Sequence, residues 1–479
     1  MKWLASVPGM RHWLLSLSVL LWMSSACRSS PEPAQDGGTG GPPPETPDAG
    51  PSPEDGGSLP PEDGGVPPVP PPEASVNVPV TVPEGLNTYP FNTPRTLTVP
   101  PGFSISVFAR VPDARFIALA PNGDVLVSQP DSQGVVKLLR PRAGQTPEVF
   151  DWATGLRRPH DIVFHTREGT TWVYVSETNR VTRSVWTPGE TSRAQASVLV
   201  AGLPDSSSDE LQGKYGHELK NIAVDSAGRL YVSIASTCNV CISDTQSTPQ
   251  RATVYRYAPD GTGGQLFASG LRNAEGLAFE PGTDTLWVTV NARDNIPYPH
   301  DDGTGKYGQV LTEYVDNHPP ESLTRAREGG RYGWPFCNPN PDTASGMKQM
   351  PYDRDYNQNR TGSVDCAQMD RVDQGIQAHS APLGLAFLSG TAFPAPYTPG
   401  LAVAYHGSWN HTGGVGYQVA HFGWDAATRQ PTGERALVKG WLGADKKVWG
   451  RPVDVAVLPD GGLLISDDKA GALYLLRKD

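Results

Sequence analysis

Residues 221–236, NIAVDSAGRLYVSIAS, decide the fold. A short apolar strand runs into the turn DSAGR, and a second strand rich in Leu, Tyr, Val and Ile follows, which is the pattern of a tight β-hairpin. The same pattern recurs as FIALAPNGDVLVSQ from Phe116, DIVFHTREGTTWVYVSE from Asp161, GLAFEPGTDTLWVTVN from Gly276, GLAFLSGTAFPAPYTPGLAVAYHGS from Gly384 and DVAVLPDGGLLISDD from Asp454. In chain order the starts lie 45, 60, 55, 108 and 70 residues apart. Multi-strand repeats at this spacing are the signature of a β-propeller, in which each repeat is one blade and radial packing buries both faces of every sheet. Six copies predict an all-β, six-bladed β-propeller over residues 85–479.

Working outward, the 108-residue gap between the fourth and fifth copies predicts a long insertion at about 295–378. Further strands follow each copy, as in ATVYRYAPDG and GALYLLRKD, and outer segments such as PEVFDWATGL, GQLFASGL and RALVKGWL lead into the next blade. FSISVFARV, near the start of the propeller, resembles an outer strand; pairing it with the C-terminal GALYLLRKD would close the ring and remove an exposed edge.

The N-terminal residues read differently. Lys2 and Arg11 precede an apolar run from Trp13 to Met23, then Ser24, Ser25, Ala26 and Cys27, which predicts a signal peptide over 1–27. A Cys directly after a small-residue cleavage site resembles a bacterial lipoprotein signal and implies export with a lipid anchor on Cys27. Residues 28–80 are dominated by Pro, Gly, Glu and Asp and predict a disordered linker, because such a segment cannot bury enough apolar surface to offset its ordering entropy. With 52 Gly and 48 Pro among 479 residues the composition argues against a helical protein. The net charge of -11 is concentrated in the linker, which holds nine acids and one base. No basic cluster suits phosphate neutralisation, so nucleic acid is not expected as a partner.

Aligning Ile117, Ile162, Ile222, Leu277, Leu385 and Val455 puts the six blade entrances in register and nominates a site at one end of the channel. Arg157, His217 and Arg272 stand five residues upstream of that register, Asn273 and Arg451 four upstream, and His379 six upstream. Convergent guanidinium groups suit a ligand with several carboxylate or quinone oxygens, since Arg makes bidentate, charge-assisted bonds. A His among such cations has its proton affinity lowered and suits general-base work. Asp161, Glu218, Glu275 and Asp454 also lie near the entrances and keep a calcium-dependent lactonase or esterase propeller open as an alternative. The identical register of Asp161, Asn221 and Asp454 instead favours a repeated structural hydrogen bond. A propeller binding glycans or peptides without turnover is the third reading.

GLRNAEGLAF (270–279), GGRYGWPFCNP (329–339), HSAPLGLAF (379–387), HGSWN (406–410), GRPVDVAVLPDGGLLISDD (450–468) and the sorbosone-type STCNVC (236–241) together resemble the soluble-type glucose and sorbosone dehydrogenases dependent on pyrroloquinoline quinone (PQQ), which are six-bladed propellers. The resemblance implies PQQ and calcium as cofactors, a sugar or sugar-derived alcohol or aldehyde as substrate, and an external electron acceptor. It implies His217 as general base and Arg272, with Asn273, on the reactive quinone oxygens. It implies Arg451 on a PQQ carboxylate, with Asn291, His379 and Trp409 in the same pocket. Calcium would sit on the backbone carbonyls of Ala292 and Arg293, a hard cation on oxygen ligands. His411 stands where relatives carry a basic residue suited to the cofactor carboxylates.

After Cys27 four cysteines remain. In an exported chain the simplest pairing is two local bridges, Cys238 with Cys241 and Cys337 with Cys366; zinc binding is the alternative.

Overall fold

The computed structural model describes residues 75–130 and 134–479. The predicted signal peptide and the linker up to residue 74 lie outside the described residues. Six sheets of at least four strands are present among those described, one for each sequence copy. Their innermost strands are Ile117–Leu119, Ile162–Arg167, Ile222–Val224, Asn273–Phe279, Pro382–Phe387 and Pro452–Val457. Each leads by a turn into a second, antiparallel strand, and the six aligned register residues pair with Val127, Val175, Val232, Val288, Val403 and Ile465 in turn. At the hairpin turn of the third blade Gly228 has a φ of 81°, a left-handed conformation that an L side chain adopts only with strain.

The second strands Val125–Gln129, Leu230–Ile234 and Leu463–Asp467 are buried at every residue. A strand covered on both faces reads as an unbroken apolar run, which explains why these segments do not alternate. Each Val or Leu so buried contributes about 1.5–3 kcal/mol relative to exposure.

Neighbouring blades are also stitched by polar side chains. A hydroxyl one residue beyond the register pair donates to a carbonyl of the next blade: Ser176 to Lys220 (2.6 Å), Ser233 to Ala274 (2.7 Å), Thr289 to Leu383 (2.6 Å) and Ser466 to Arg115 (2.6 Å). Asp161 Oδ2 accepts from the Ile222 N–H (2.8 Å), and Asp454 Oδ2 from the Ile117 N–H (2.9 Å). These two carboxylates therefore bond the backbone of the adjacent blade, the repeated structural role their common register suggested.

The ring closes as expected: Phe103–Arg110 pairs antiparallel with Ala472–Lys478 as the outer strand of the sixth blade. Two boundaries move. Val76–Pro79, inside the expected linker, is a strand paired with Thr96–Val99, and both extend the fifth blade to six strands. Nor is the 295–378 gap a single insertion. Glu321–Ala326 and Gln374–Ile376 within it are the third and fourth strands of the fourth blade, so the excursions are the segments on either side of Glu321–Ala326. Both disulfides form, Cys238–Cys241 and Cys337–Cys366.

Candidate functional site

His217 lies in the loop that enters Ile222–Val224. Its Nδ1 faces the Ser236 carbonyl at 2.8 Å, just beyond the second strand of the same blade. A carbonyl can only accept, so Nδ1 carries the hydrogen and Nε2 presents its lone pair. Burial, followed by the positive charge of Arg272, lowers the imidazole pKa to about 4. His217 is therefore a neutral imidazole at ordinary pH.

Arg272 immediately precedes Asn273–Phe279 and is only 6% exposed. Its Nε donates to the Asn239 carbonyl and its Nη2 to Asn239 Oδ1, both at 3.1 Å. Asn239 Oδ1 also accepts from the Asp294 N–H (2.8 Å), and Nδ2 donates to the Asp294 carbonyl (2.9 Å). The loop bridged by Cys238 and Cys241 thus clamps the guanidinium on one side and the Asp294 backbone on the other. Asn273 Nδ2 donates to Glu275 Oε1 (3.0 Å), whose other oxygen lies 3.3 Å from the fully buried His160. Burial alone would raise the Glu275 carboxyl, but the His160 contact, Arg115 and Asn273 hold it down at about 2. A fixed carboxylate orients the Asn273 amide.

Asn291 Nδ2 donates to the Pro382 carbonyl of the next blade (2.7 Å), and the Ala292 N–H donates to the buried Glu321. The Arg293 guanidinium is taken by Asp355, so Arg293 offers a ligand at the mouth its backbone alone. Among the described residues no hydrogen bond reaches the carbonyl oxygen of Ala292 or Arg293. Two unengaged carbonyls in a rigid turn fit a hard cation. Among the described residues no group of three or more His, Cys, Asp or Glu is arranged to hold a metal ion.

His379, at φ 65°, points Nε2 at the Val315 carbonyl (2.7 Å) and Nδ1 at Asp294 (3.5 Å). Burial opposes its charge, yet the Asp294 contact and the Val315 carbonyl raise its pKa. Two acceptors favour the imidazolium, so His217 and His379 are given opposite protonation preferences by their surroundings.

The remaining expected residues are placed differently. Arg451 donates from Nε to the His406 carbonyl (2.9 Å) and from Nη2 to the Gly407 carbonyl (2.7 Å), which leaves Nη1 for an anion. Trp409 stands apart from the buried set: it is 76% exposed and lines a separate cleft with His411. Arg157 pairs with Asp205 at 2.8 Å, so that cation is already matched. Sequence reasoning missed Asn239, whose only signal was its place between two cysteines, and the carboxylate of Asp294, which lies 3.5 Å from both Arg272 and His379.

Comparisons with known proteins agree with this architecture. An uncharacterized protein of Borreliella burgdorferi is 25% identical over 391 residues, covering 79% of this chain and 90% of its own. The holo PQQ domain of pyranose dehydrogenase from Coprinopsis cinerea superposes with a TM-score of 0.66 at 19% identity, covering 80% of this chain and 97% of that one. The calcium structure of a family AA12 carbohydrate-active enzyme from Trichoderma reesei gives 0.64 at 19% identity, over 80% and 96% of the two chains. The soluble aldose sugar dehydrogenase of Escherichia coli, in its apo form, gives 0.52 at 15% identity, over 79% and 100%. These likenesses show the fold. The profile of the TrAA12-like family matches residues 97–479, and the chain belongs to that family.

Proposed function

We propose that the protein is a PQQ-dependent dehydrogenase that oxidises a sugar, or a sugar-derived alcohol or aldehyde of the glucose or sorbosone type, and passes the electrons to an external acceptor. The observation that carries the reading is a neutral His217 with Nε2 open, beside the oriented guanidinium of Arg272. The solved PQQ domain of pyranose dehydrogenase and the aldose sugar dehydrogenase share the fold and support the assignment.

The donor set fits the cofactor. Arg272 and the Asn273 amide suit quinone oxygens, and Arg451 Nη1 suits a carboxylate. The Ala292 and Arg293 carbonyls suit calcium. When bound, PQQ would supply a two-electron acceptor for the hydride of the substrate carbon, and an alcohol, hemiacetal or aldehyde hydrate would be left as the corresponding ketone or aldehyde, lactone or acid. His217 Nε2 takes the hydroxyl proton in that step, with the Nδ1 bond to Ser236 fixing tautomer and ring orientation. Arg272 sets positive charge where negative charge develops on oxygen, and its Asn239 clamp means it need not reorganise to do so. His379, favouring the cation, complements Asp294 and leaves His217 as the base. The same proposal includes export and lipid anchoring through Cys27, supported by the apolar run before it and by two disulfides, which form in oxidising compartments.

The test is titration of the purified protein with PQQ and calcium, following cofactor absorbance, then aldoses with an artificial electron acceptor. Calcium-dependent binding and sugar-driven reduction are expected, with His217→Ala abolishing turnover while still binding PQQ. Undiminished turnover by His217→Ala refutes the mechanism; no binding at micromolar PQQ refutes the function.

A further inference from the structure

Trp409 has no role in the site described above, yet it is the only Trp among the described residues that is largely exposed. It sits in the loop between the strands Gly400–Tyr405 and Gln418–Asp425, and that loop is pinned on both sides. Before it, Arg451 holds the carbonyls of His406 and Gly407. Around it, the Tyr417 hydroxyl donates to the Ser408 carbonyl, and the Ser408 N–H donates to Val415 (3.0 Å). Beyond it, the Thr412 N–H donates to Asp316 (3.0 Å) and its hydroxyl to the other oxygen of that carboxylate. The indole is therefore an exposed aromatic on a fixed mount, a preorganised platform rather than a side chain on a loose loop.

The platform borders a cleft of about 250 Å³ that Asn295, Thr312, Asp316, Asn410 and His411 also line. Apart from the indole and two valines the lining is polar. The volume falls just below the roughly 300–1,000 Å³ of pockets for drug-sized ligands, which suits one small ring. The cleft adjoins the catalytic residues, because the carbonyl of Val315, another lining residue, accepts from His379, which in turn contacts Asp294 beside Arg272.

We infer that this cleft is a saccharide subsite: it takes the second sugar ring of an oligosaccharide whose oxidised ring occupies the catalytic pocket. The inference rests on the sugar-oxidising reading and deepens it. A pyranose has an apolar face of C–H groups, which packs on an aromatic plane, and a rim of hydroxyls, which the Asn295 amide, the Thr312 hydroxyl and the His411 ring can bond. Few other small molecules combine one apolar face with a hydroxylated edge in a single ring.

The experiment compares glucose with the disaccharides maltose, cellobiose and gentiobiose, using the full chain loaded with PQQ and calcium. For the disaccharide that is used best, Trp409→Ala lowers the disaccharide-to-glucose ratio of kcat/KM about tenfold, equivalent to about 1.4 kcal/mol; Trp409→Phe restores most of it. An unchanged ratio, or a loss shared equally by glucose and every disaccharide, overturns the inference. A second readout needs no turnover. Maltotriose and cellotriose are titrated into the cofactor-free chain, following indole fluorescence, and Trp409→Phe should abolish the response. If no sugar is oxidised but that Trp409-dependent response persists, the dehydrogenase reading fails and the subsite stands. If sugars are oxidised and the response is the same with and without Trp409, the subsite fails alone.

Discussion

Asn239→Ala tests whether the Cys238–Cys241 loop controls the chemistry. The substitution keeps the main-chain carbonyl that accepts from Arg272 Nε and from Trp334 Nε1, both at 3.1 Å. It deletes the Oδ1 bond from Arg272 Nη2, the Oδ1 bond from the Asp294 N–H and the Nδ2 bond to the Asp294 carbonyl. A hydrogen bond to a charged group contributes about 1.5–3 kcal/mol net. If most of that term is expressed at the transition state, kcat/KM falls about 10- to 100-fold, since each 1.36 kcal/mol of barrier is a factor of ten. The assay is steady-state oxidation of the best aldose by the PQQ- and calcium-loaded protein, with thermal melts to confirm the folded fraction. Asn239→Asp keeps an acceptor for Arg272 while losing the donor to Asp294, so it should retain more activity than the Ala variant. In an Arg272→Ala background the Asn239→Ala loss should shrink to almost nothing, because the two residues act through one guanidinium. Activity of Asn239→Ala within twofold of wild type, or an undiminished loss in the Arg272→Ala background, would refute the clamp.

Two further expectations follow from the same geometry. The acid limb of kcat/KM should fall near pH 4, where His217 takes up a proton, rather than near the ordinary imidazole value; a limb at pH 6.5 or above rules out His217 as the base. Between those values the unfolded chain binds the proton more readily than the folded one, so stability declines as pH drops through the same window and the folded fraction must be measured alongside. For the disulfides, chain-entropy arguments give about 2 kcal/mol for the short Cys238–Cys241 loop and about 3.5 kcal/mol for Cys337–Cys366, whose partners are 29 residues apart. Replacing each pair by Ser should therefore lower Tm more for Cys337 and Cys366, and activity more for Cys238 and Cys241. The reverse order in calorimetry and turnover would contradict the placement of the loop over Arg272.

The blades were legible in the sequence because each hairpin must bury both faces of its second strand, and that requirement writes the same apolar run six times. The register derived from Ile117, Ile162, Ile222, Leu277, Leu385 and Val455 matches the strand pairing at all six blades. Glu321–Ala326 and Gln374–Ile376 escaped notice because irregular excursions separate them from their own hairpin and destroy the spacing that identifies a blade. Val76–Pro79 escaped for another reason: it is a strand only because Thr96–Val99 lies alongside, and composition reports local tendency rather than tertiary partners. At the candidate site, register nominated His217, Arg272 and Asn273, and the fold places all three at the blade entrances. Asn239 was not nominated, since an Asn in a loop has no signature until the fold lays that loop over a guanidinium. Trp409 carried a motif but not an environment; exposure belongs to the folded molecule.

The pairing of Phe103–Arg110 with Ala472–Lys478 sets an order of events during biogenesis. Strands from opposite ends of the propeller complete one blade, so the outer strand Phe103–Arg110 is made first and has no sheet to join until its neighbour, residues 472–478, has been made. Pairings of such sequence separation form slowly, because the loop they close is nearly the whole domain. Until then Phe103–Arg110 waits as an unsatisfied edge, open to association with another nascent copy. The latch that closes the finished ring is thus also the stretch that stays open to wrong partners longest in an unfinished chain.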